Sequence, residues 1–377
     1  MPARIHGQHI AVMIGRMVFA LLLAASILVL PDIATTVEAQ QKSDPALTQS
    51  PVGGQVPGDA LGTTSDSDFW RAVRNGAAGT VSIPDKKAAT LIQSEGDNWR
   101  AFRNGPLSTY GAWLLLGTLI VLALFFLVRG RIKVDAGLAG QTITRFNDIE
   151  RMGHWLLAVS FVILGLTGLN ILYGRYVLLP LIGPDAFSAI TIFGKWVHNY
   201  IAFAFIAGLV MVFVMWVVHN IPNRHDLVWL AKGGGLLTKS HPPAKKFNAG
   251  QKILFWLVIL SGVSLSLSGI ALMFPFELAL FSKTFAILNV FGLDLPTNLA
   301  PIQEMQLSQL WHAILALVMV AVILGHIYIG TIGMEGAFDA MGTGEVDLNW
   351  AKEHHGLWVK DMQEQRDAPS ATTAPAE

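Results

Sequence analysis

Apolar side chains run along this chain in five long blocks, near 109–128, 153–172, 196–218, 253–274 and 308–330, and polar residues gather between them. Each block approaches the roughly 20 residues that a helix needs to cross a hydrocarbon core. In lipid every backbone N–H and C=O must be paired within its own segment, so each block is predicted to be helical. The pattern predicts an all-α membrane protein, a transmembrane helix bundle. A shorter apolar run, Met17–Leu30, follows Arg4 and Arg16 and precedes the small residues of Val37-Glu38-Ala39. It reads as a signal peptide over 1–39, because the run is short for a span. An uncleaved anchor is the alternative.

Residues 40–108 are expected to be exported and partly disordered, with Ser, Thr, Gly, Pro and Gln dominating 40–68. Within them Trp70-Arg71-Ala72-Val73-Arg74-Asn75-Gly76 returns as Trp99-Arg100-Ala101-Phe102-Arg103-Asn104-Gly105. Two copies are too few for a solenoid. They read as two amphipathic helices lying on the membrane or on a partner.

Charge orients the bundle. The 129–151 loop carries Arg129, Arg131, Lys133, Arg145 and Arg151, and the 219–252 loop carries Arg224, Lys232, Lys239, Lys245, Lys246 and Lys252. The 173–195 loop has only Arg175 and Lys195, and the 275–307 loop only Lys283. The basic loops belong in the cytoplasm. The chain after signal cleavage then starts outside, and the segment 336–377 is a cytoplasmic tail.

Composition narrows the chemistry. The chain is 53% hydrophobic and 14% charged, with no net charge and no cysteine. Nothing favours nucleic acid. Iron–sulfur clusters, covalently attached haem and thiolate zinc sites are excluded. A metal must be held by His, Met or carboxylates.

Four histidines, His154, His198, His312 and His326, fall within or at the ends of the apolar blocks. Ionisable residues at membrane depth are functional by default, although an interfacial histidine can simply meet water or headgroups. His312 and His326 are 14 residues apart on one helix, about 21 Å along the axis and only about 40° apart around it. Matching depths pairs His198 with His312 near the outer surface and His154 with His326 near the inner one. Two opposed imidazole pairs are what two bis-histidine b-type haems need. Gly165, Gly168, Gly194, Gly208, Gly262, Gly269, Gly325 and Gly330 would let a macrocycle approach, or would serve helix packing equally well. His219, His225, His354 and His355 are expected at interfaces or in solvent. A histidine-based metal or proton transporter is the distant alternative, but it would need acidic residues within the spans. Glu277 and Glu304 lie in or near the outer loop instead.

Several runs carry a resemblance: Phe146-Asn147-Asp148-Ile149-Glu150-Arg151 leading to Gly153-His154-Trp155, Gly194-Lys195-Trp196-Val197-His198, and His219-Asn220-Ile221-Pro222. To these add Phe247-Asn248-Ala249-Gly250-Gln251-Lys252, Trp311-His312 and His326-Ile327-Tyr328. Over roughly 141–360 the chain resembles the gamma, cytochrome b, subunits of membrane-bound formate dehydrogenases, within the wider dihaem cytochrome b family of hydrogenases. The resemblance implies a dihaem four-helix domain over 141–335, with 109–128 as an extra span, in a bacterial cytoplasmic (inner) membrane. It implies an iron–sulfur beta subunit and a molybdenum or tungsten catalytic alpha subunit as partners. It further implies electron transfer through the outer haem and then the inner haem to a quinone, menaquinone or ubiquinone, on the cytoplasmic side. Asn248, Gly250 and Gln251 match the quinone-site loop, and His326 would serve both the inner haem and that pocket. Without the resemblance, Asn248 reads as a helix N-cap and Lys252 as a headgroup contact. The cytochrome b subunit of a hydrogenase is the nearer alternative.

Overall fold

The computed structural model describes residues 96–235 and 240–367. The expected signal peptide and the first copy of the repeat lie outside the described residues. The chain divides between Arg100 and Ala101 into two compact units, and the second carries the bundle.

Helices long and apolar enough to cross a membrane occupy Asn98–Arg129, Asp148–Val177, Leu179–Trp216, Ala249–Met273 and Pro301–Gly333. The chain is a multi-pass membrane protein. Its principal elements are α1 (Ser108–Arg129), β1 (Thr142–Thr144), α2 (Asp148–Val177), α3 (Leu179–Trp216), α4 (Arg224–Ala231), α5 (Ala249–Met273), α6 (Leu280–Asn289), α7 (Pro301–Tyr328), α8 (Asp339–Gly342), β2 (Glu345–Asp347) and α9 (Leu348–Asp367). The second copy of the repeat begins within a short helix, Gly96–Phe102. It passes through a π-type turn, Arg103–Leu107, directly into α1.

Local sequence sets the helix starts. Asn147 and Glu150 form a reciprocal capping box on α2, Asn223 and Asp226 do so on α4, and Asn248 and Gln251 on α5. The 173–195 stretch, expected as a loop, is almost wholly helical. Its one non-helical residue within α3 is Gly183 (φ 77°, ψ 170°), a conformation glycine tolerates, and Pro184 restarts the helix. An apolar window ends where lipid ends, whereas a helix continues wherever its backbone still pairs. In the 275–307 segment, Glu304 caps α6: its carboxylate accepts from the Phe281 and Ser282 N–H groups at 2.8 and 2.7 Å and from the Ser282 hydroxyl.

Small residues set the tightest crossings. A Cβ on Gly208 would stand 2.7 Å from the Leu157 backbone nitrogen, so α2 and α3 pack backbone to backbone there. Gly262 is closed on by Leu209, and Gly111 by Leu317 and Tyr173, which brings α5 to α3 and α1 to α7. The outward faces stay apolar and exposed, as at Leu119, Val121, Leu124 and Leu127 of α1, which suits lipid.

The all-helical expectation missed a two-stranded ribbon. β1 and β2 pair antiparallel, Thr142 with Asp347, Ile143 with Val346 and Thr144 with Glu345. The Asp347 carboxylate accepts from the Ala139 and Gly140 N–H groups at 3.1 and 3.0 Å and from Asn349 N–H at 2.9 Å. Burial would raise its pKa, but these donors outweigh it and hold the acid below its usual range. Residues 345–367 therefore fold back onto the bundle: Val346, Ala351 and Trp350 are buried. Of the interfacial and solvated readings of His354 and His355, the solvated one fails as well. His355 is 1% exposed with Nδ1 2.8 Å from the Lys245 carbonyl oxygen, and His354 Nε2 is also buried.

Candidate functional site

The four span histidines come together in two pairs. His154, near the start of α2, faces His326, at the end of α7, with ring centroids 6.2 Å apart. His198 on α3 faces His312 on α7 at 6.3 Å. Two imidazoles bound to one metal at roughly 2 Å each would put their ring centres about 6 Å apart. Both pairs therefore suit a single iron between opposed rings. Among the described residues no three His, Asp or Glu side chains converge as they would around a bare metal ion.

The His198/His312 pair is held by hydroxyls that the sequence reading missed. Thr167 Oγ1 lies 2.8 Å from His198 Nδ1 and 2.7 Å from the Ile163 carbonyl oxygen. Ser268 Oγ lies 2.9 Å from His312 Nδ1 and 2.9 Å from the Ser264 carbonyl oxygen. Each hydroxyl donates its one proton to a helix carbonyl, so it accepts from the ring. Nδ1 is then the protonated nitrogen, and Nε2 keeps its lone pair for a metal. Beside each hydroxyl stands a glycine. A Cβ on Gly168 would meet His198 Cε1, and one on Gly269 would meet His312 Cε1, each at 3.4 Å. The arrangement occurs twice, as Thr167-Gly168 on α2 against α3 and as Ser268-Gly269 on α5 against α7. The recurring hydroxyl–glycine dipeptide was its only trace in the sequence.

The two readings of the glycines are thereby divided. Gly208 and Gly262 serve helix packing, Gly168 and Gly269 seat imidazoles, and a Cβ on Gly325 or Gly330 would meet nothing within 4 Å. Among the described residues the His154/His326 pair has no matching hydroxyl. His154 Nδ1 is buried without a partner among the described residues, and the Trp155 ring stands 5.4 Å from its own.

At the His154/His326 end, Asn248 Oδ1 accepts from Gln251 N–H at 2.9 Å and Gln251 Oε1 from Asn248 N–H at 3.1 Å. The helix-start reading of these residues is therefore realised in full. It uses both side-chain oxygens and leaves both amide nitrogens, and the two residues line one cavity with His154 and His326. A Cβ on Gly250 would strike Trp229 at 2.8 Å. Lys252 is not at the headgroups: it is buried and paired with Asp226 at 2.9 Å. Glu150 accepts from Lys246 at 2.7 Å and from Trp216 Nε1 at 2.9 Å, which fixes the tryptophan beside His154. His219 stands 6.5 Å from the Phe247 ring, and partial burial lowers its pKa.

A membrane bundle that opposes imidazoles in pairs at two depths is the architecture of a membrane haem protein. The chain belongs to the prokaryotic cytochrome b561 family, whose model matches residues 145–344. It is thus a membrane cytochrome b, and haem b is the cofactor of that class. It is similar to the cytochrome b556(Fdn) subunit of the nitrate-inducible formate dehydrogenase of Escherichia coli K12, with 27% identity over 59% of this chain and 93% of that protein. It is similar also to the cytochrome b556(fdo) subunit of the same organism, with 26% identity over 59% and 94%. The formate dehydrogenase cytochrome b556 subunit of Haemophilus influenzae shares 26% identity over 58% of this chain and 83% of its own length.

Proposed function

We propose that this chain is the membrane-anchoring cytochrome b subunit of a formate dehydrogenase and carries electrons through two b haems to quinone. His198 and His312 hold the outer haem, and His154 and His326 the inner one. Four helices, α2, α3, α5 and α7, form the haem-binding domain, and α1 is the extra span. The observation that carries this reading is the pair of imidazole separations, 6.2 and 6.3 Å, on helices that cross the membrane. The relatives' names favour formate dehydrogenase over hydrogenase.

Bound haem supplies one-electron storage through its iron. The chain's own groups do the rest. Thr167 and Ser268 fix the outer rings as metal ligands. Apolar side chains of the bundle, Leu157, Phe161 and Phe255 among them, line the His154/His326 cavity. The basic loops put the His154/His326 end in the cytoplasm, with the C-terminus on the same side of a bacterial inner membrane. Electrons arrive from an iron–sulfur subunit, fed by a molybdenum or tungsten catalytic subunit, at the outer end. Quinone, menaquinone or ubiquinone, is reduced at the inner end, where the Asn248 and Gln251 amide nitrogens can donate to its carbonyl oxygen and stabilise charge as it develops.

A pyridine haemochrome assay on the purified chain tests this directly. Two b haems per chain are expected, falling to one in His198→Ala and to one in His154→Ala. One or none in the wild type would refute the reading.

A further inference from the structure

One buried cation has no place in the function just described. Arg145 follows β1 and is 4% exposed. Its Nη2 donates to the Lys246 carbonyl oxygen at 2.7 Å and, more weakly, to Gln251 Oε1 at 3.3 Å. Its Nε is buried without a partner, and among the described residues no carboxylate pairs with it. Phe146 and Trp350 flank the guanidinium at 5.2 and 5.1 Å, with Trp358 at 5.9 Å. Rings of this kind attract a cation but return only part of what it loses on leaving water. Burial accordingly pushes the Arg145 pKa down to about 9.

The neighbourhood is short of acceptors. Trp350 Nε1 and His354 Nε2 are also buried without partners among the described residues, and the two rings are 5.1 Å apart. Arg145, Trp350 and His354 all line the cavity of about 970 Å³ that His154, His326 and Gln251 also line. The contrast with nearby cations is sharp: Lys246 has Glu150 and Lys252 has Asp226. Among the described residues the chain thus supplies an anion for the partly buried Lys246 and for the buried Lys252, and none for Arg145.

We propose that Arg145 is the cationic anchor of a binding site for an anionic or electron-rich oxygen brought into this cavity by a ligand. Trp350 and His354 supply the flanking polar contacts. Two ligands of the proposed function carry such an oxygen: the propionate carboxylates of the inner haem, and the carbonyl oxygen of a quinone as it takes up electrons. The site rests on the reading that haem and quinone occupy this end of the bundle.

The test uses the assembled complex with Arg145→Met, Arg145→Lys and Trp350→Phe, the last of which keeps a ring against the guanidinium and removes the N–H. Haem content, the midpoint potential of each haem and the affinity of a quinone-analogue inhibitor are measured on the same samples. If the anion is a propionate, Arg145→Met lowers the inner-haem potential alone, leaves inhibitor affinity unchanged, and Arg145→Lys restores the potential. If it is the quinone oxygen, both potentials stay and inhibitor affinity falls tenfold or more. In either case Trp350→Phe shifts the same quantity less. Arg145→Met that retains both haems, both potentials and inhibitor affinity overturns the proposal. Should Arg145→Met not assemble, infrared difference spectra of the wild type with ¹⁵N-arginine decide, with Arg145→Lys identifying the band. A guanidinium band that moves on haem reduction or on inhibitor binding supports the site, and one that moves on neither overturns it. A wild type with fewer than two haems would instead be a failure of the underlying function.

Discussion

His198 Nδ1 stands 2.8 Å from Thr167 Oγ1, and the hydroxyl's own proton is committed to the Ile163 carbonyl. A ring that donates in this way is a more basic ligand and stabilises ferric over ferrous iron. Thr167→Val is therefore expected to raise the outer-haem midpoint potential while both haems stay bound. A hydrogen bond worth about 1 kcal/mol corresponds to a shift on the order of 40 mV for one electron. Thr167→Ser should restore the wild-type value. Redox titration of the two haems checks both.

Gly208→Ala should destabilise the bundle. Its new methyl would sit 2.7 Å from the Leu157 backbone nitrogen, and only a shift of a whole helix relieves that. Overpacking of this kind costs about 1–3 kcal/mol. Gly117→Ala, where a Cβ meets nothing within 4 Å, is the control and should be neutral or slightly stabilising. Thermal unfolding in detergent compares the two.

Glu150→Gln leaves Lys246 beside a neutral amide, and breaking this partly buried ion pair should cost about 1–3 kcal/mol, between the values for exposed and buried pairs. The same carboxylate holds the Trp216 indole, whose ring centroid is 6.4 Å from that of His154. Lower thermal stability and partial loss of inner-haem absorbance are expected, with the outer haem retained. Lys246→Met in the same chain should recover part of the stability.

Docking of α9 should weaken in acid. Burial pushes the His354 pKa down to about 4 and that of His355 well below 6.5. A histidine with a depressed folded pKa contributes stability above its unfolded pKa and loses it as pH falls. The loss thus begins near pH 6.5 and continues toward pH 4, at about 1.4 kcal/mol per pH unit for each histidine that must charge on release. Hydrogen exchange of residues 348–367 should quicken over that window. In the His354→Gln, His355→Gln double variant the pH dependence should flatten.

Much of the bundle was legible because lipid simplifies the code. An apolar block of span length has one backbone solution, and four histidines at matching depths leave few pairings. The Thr167 and Ser268 hydroxyls were not legible. Serine and threonine in a helix commonly bond their own i−4 carbonyl, and only the rotation of one helix against the next shows which of them also meets a ring. Lys252 was misplaced because its partner, Asp226, lies on a separate short helix whose docking the sequence does not state. The ribbon was missed because each strand has three residues, too few for an alternating pattern, and its partners are some two hundred positions apart.

That separation bears on how the molecule is made. Glu353 of α9 accepts backbone N–H groups of Asp135 and Ala136, a contact spanning 218 residues in the first case. Ribbon and helix together tie the segment after the first span to the last stretch of the described chain. Contacts of such range are among the last to form, since the loop they close is long. The wall formed by Trp350 and His354 is then shut only after the last span has been made and the segment that follows it has folded back. Until that clasp fastens, the cavity beside His154 and His326 lacks the side that Trp350 and His354 line.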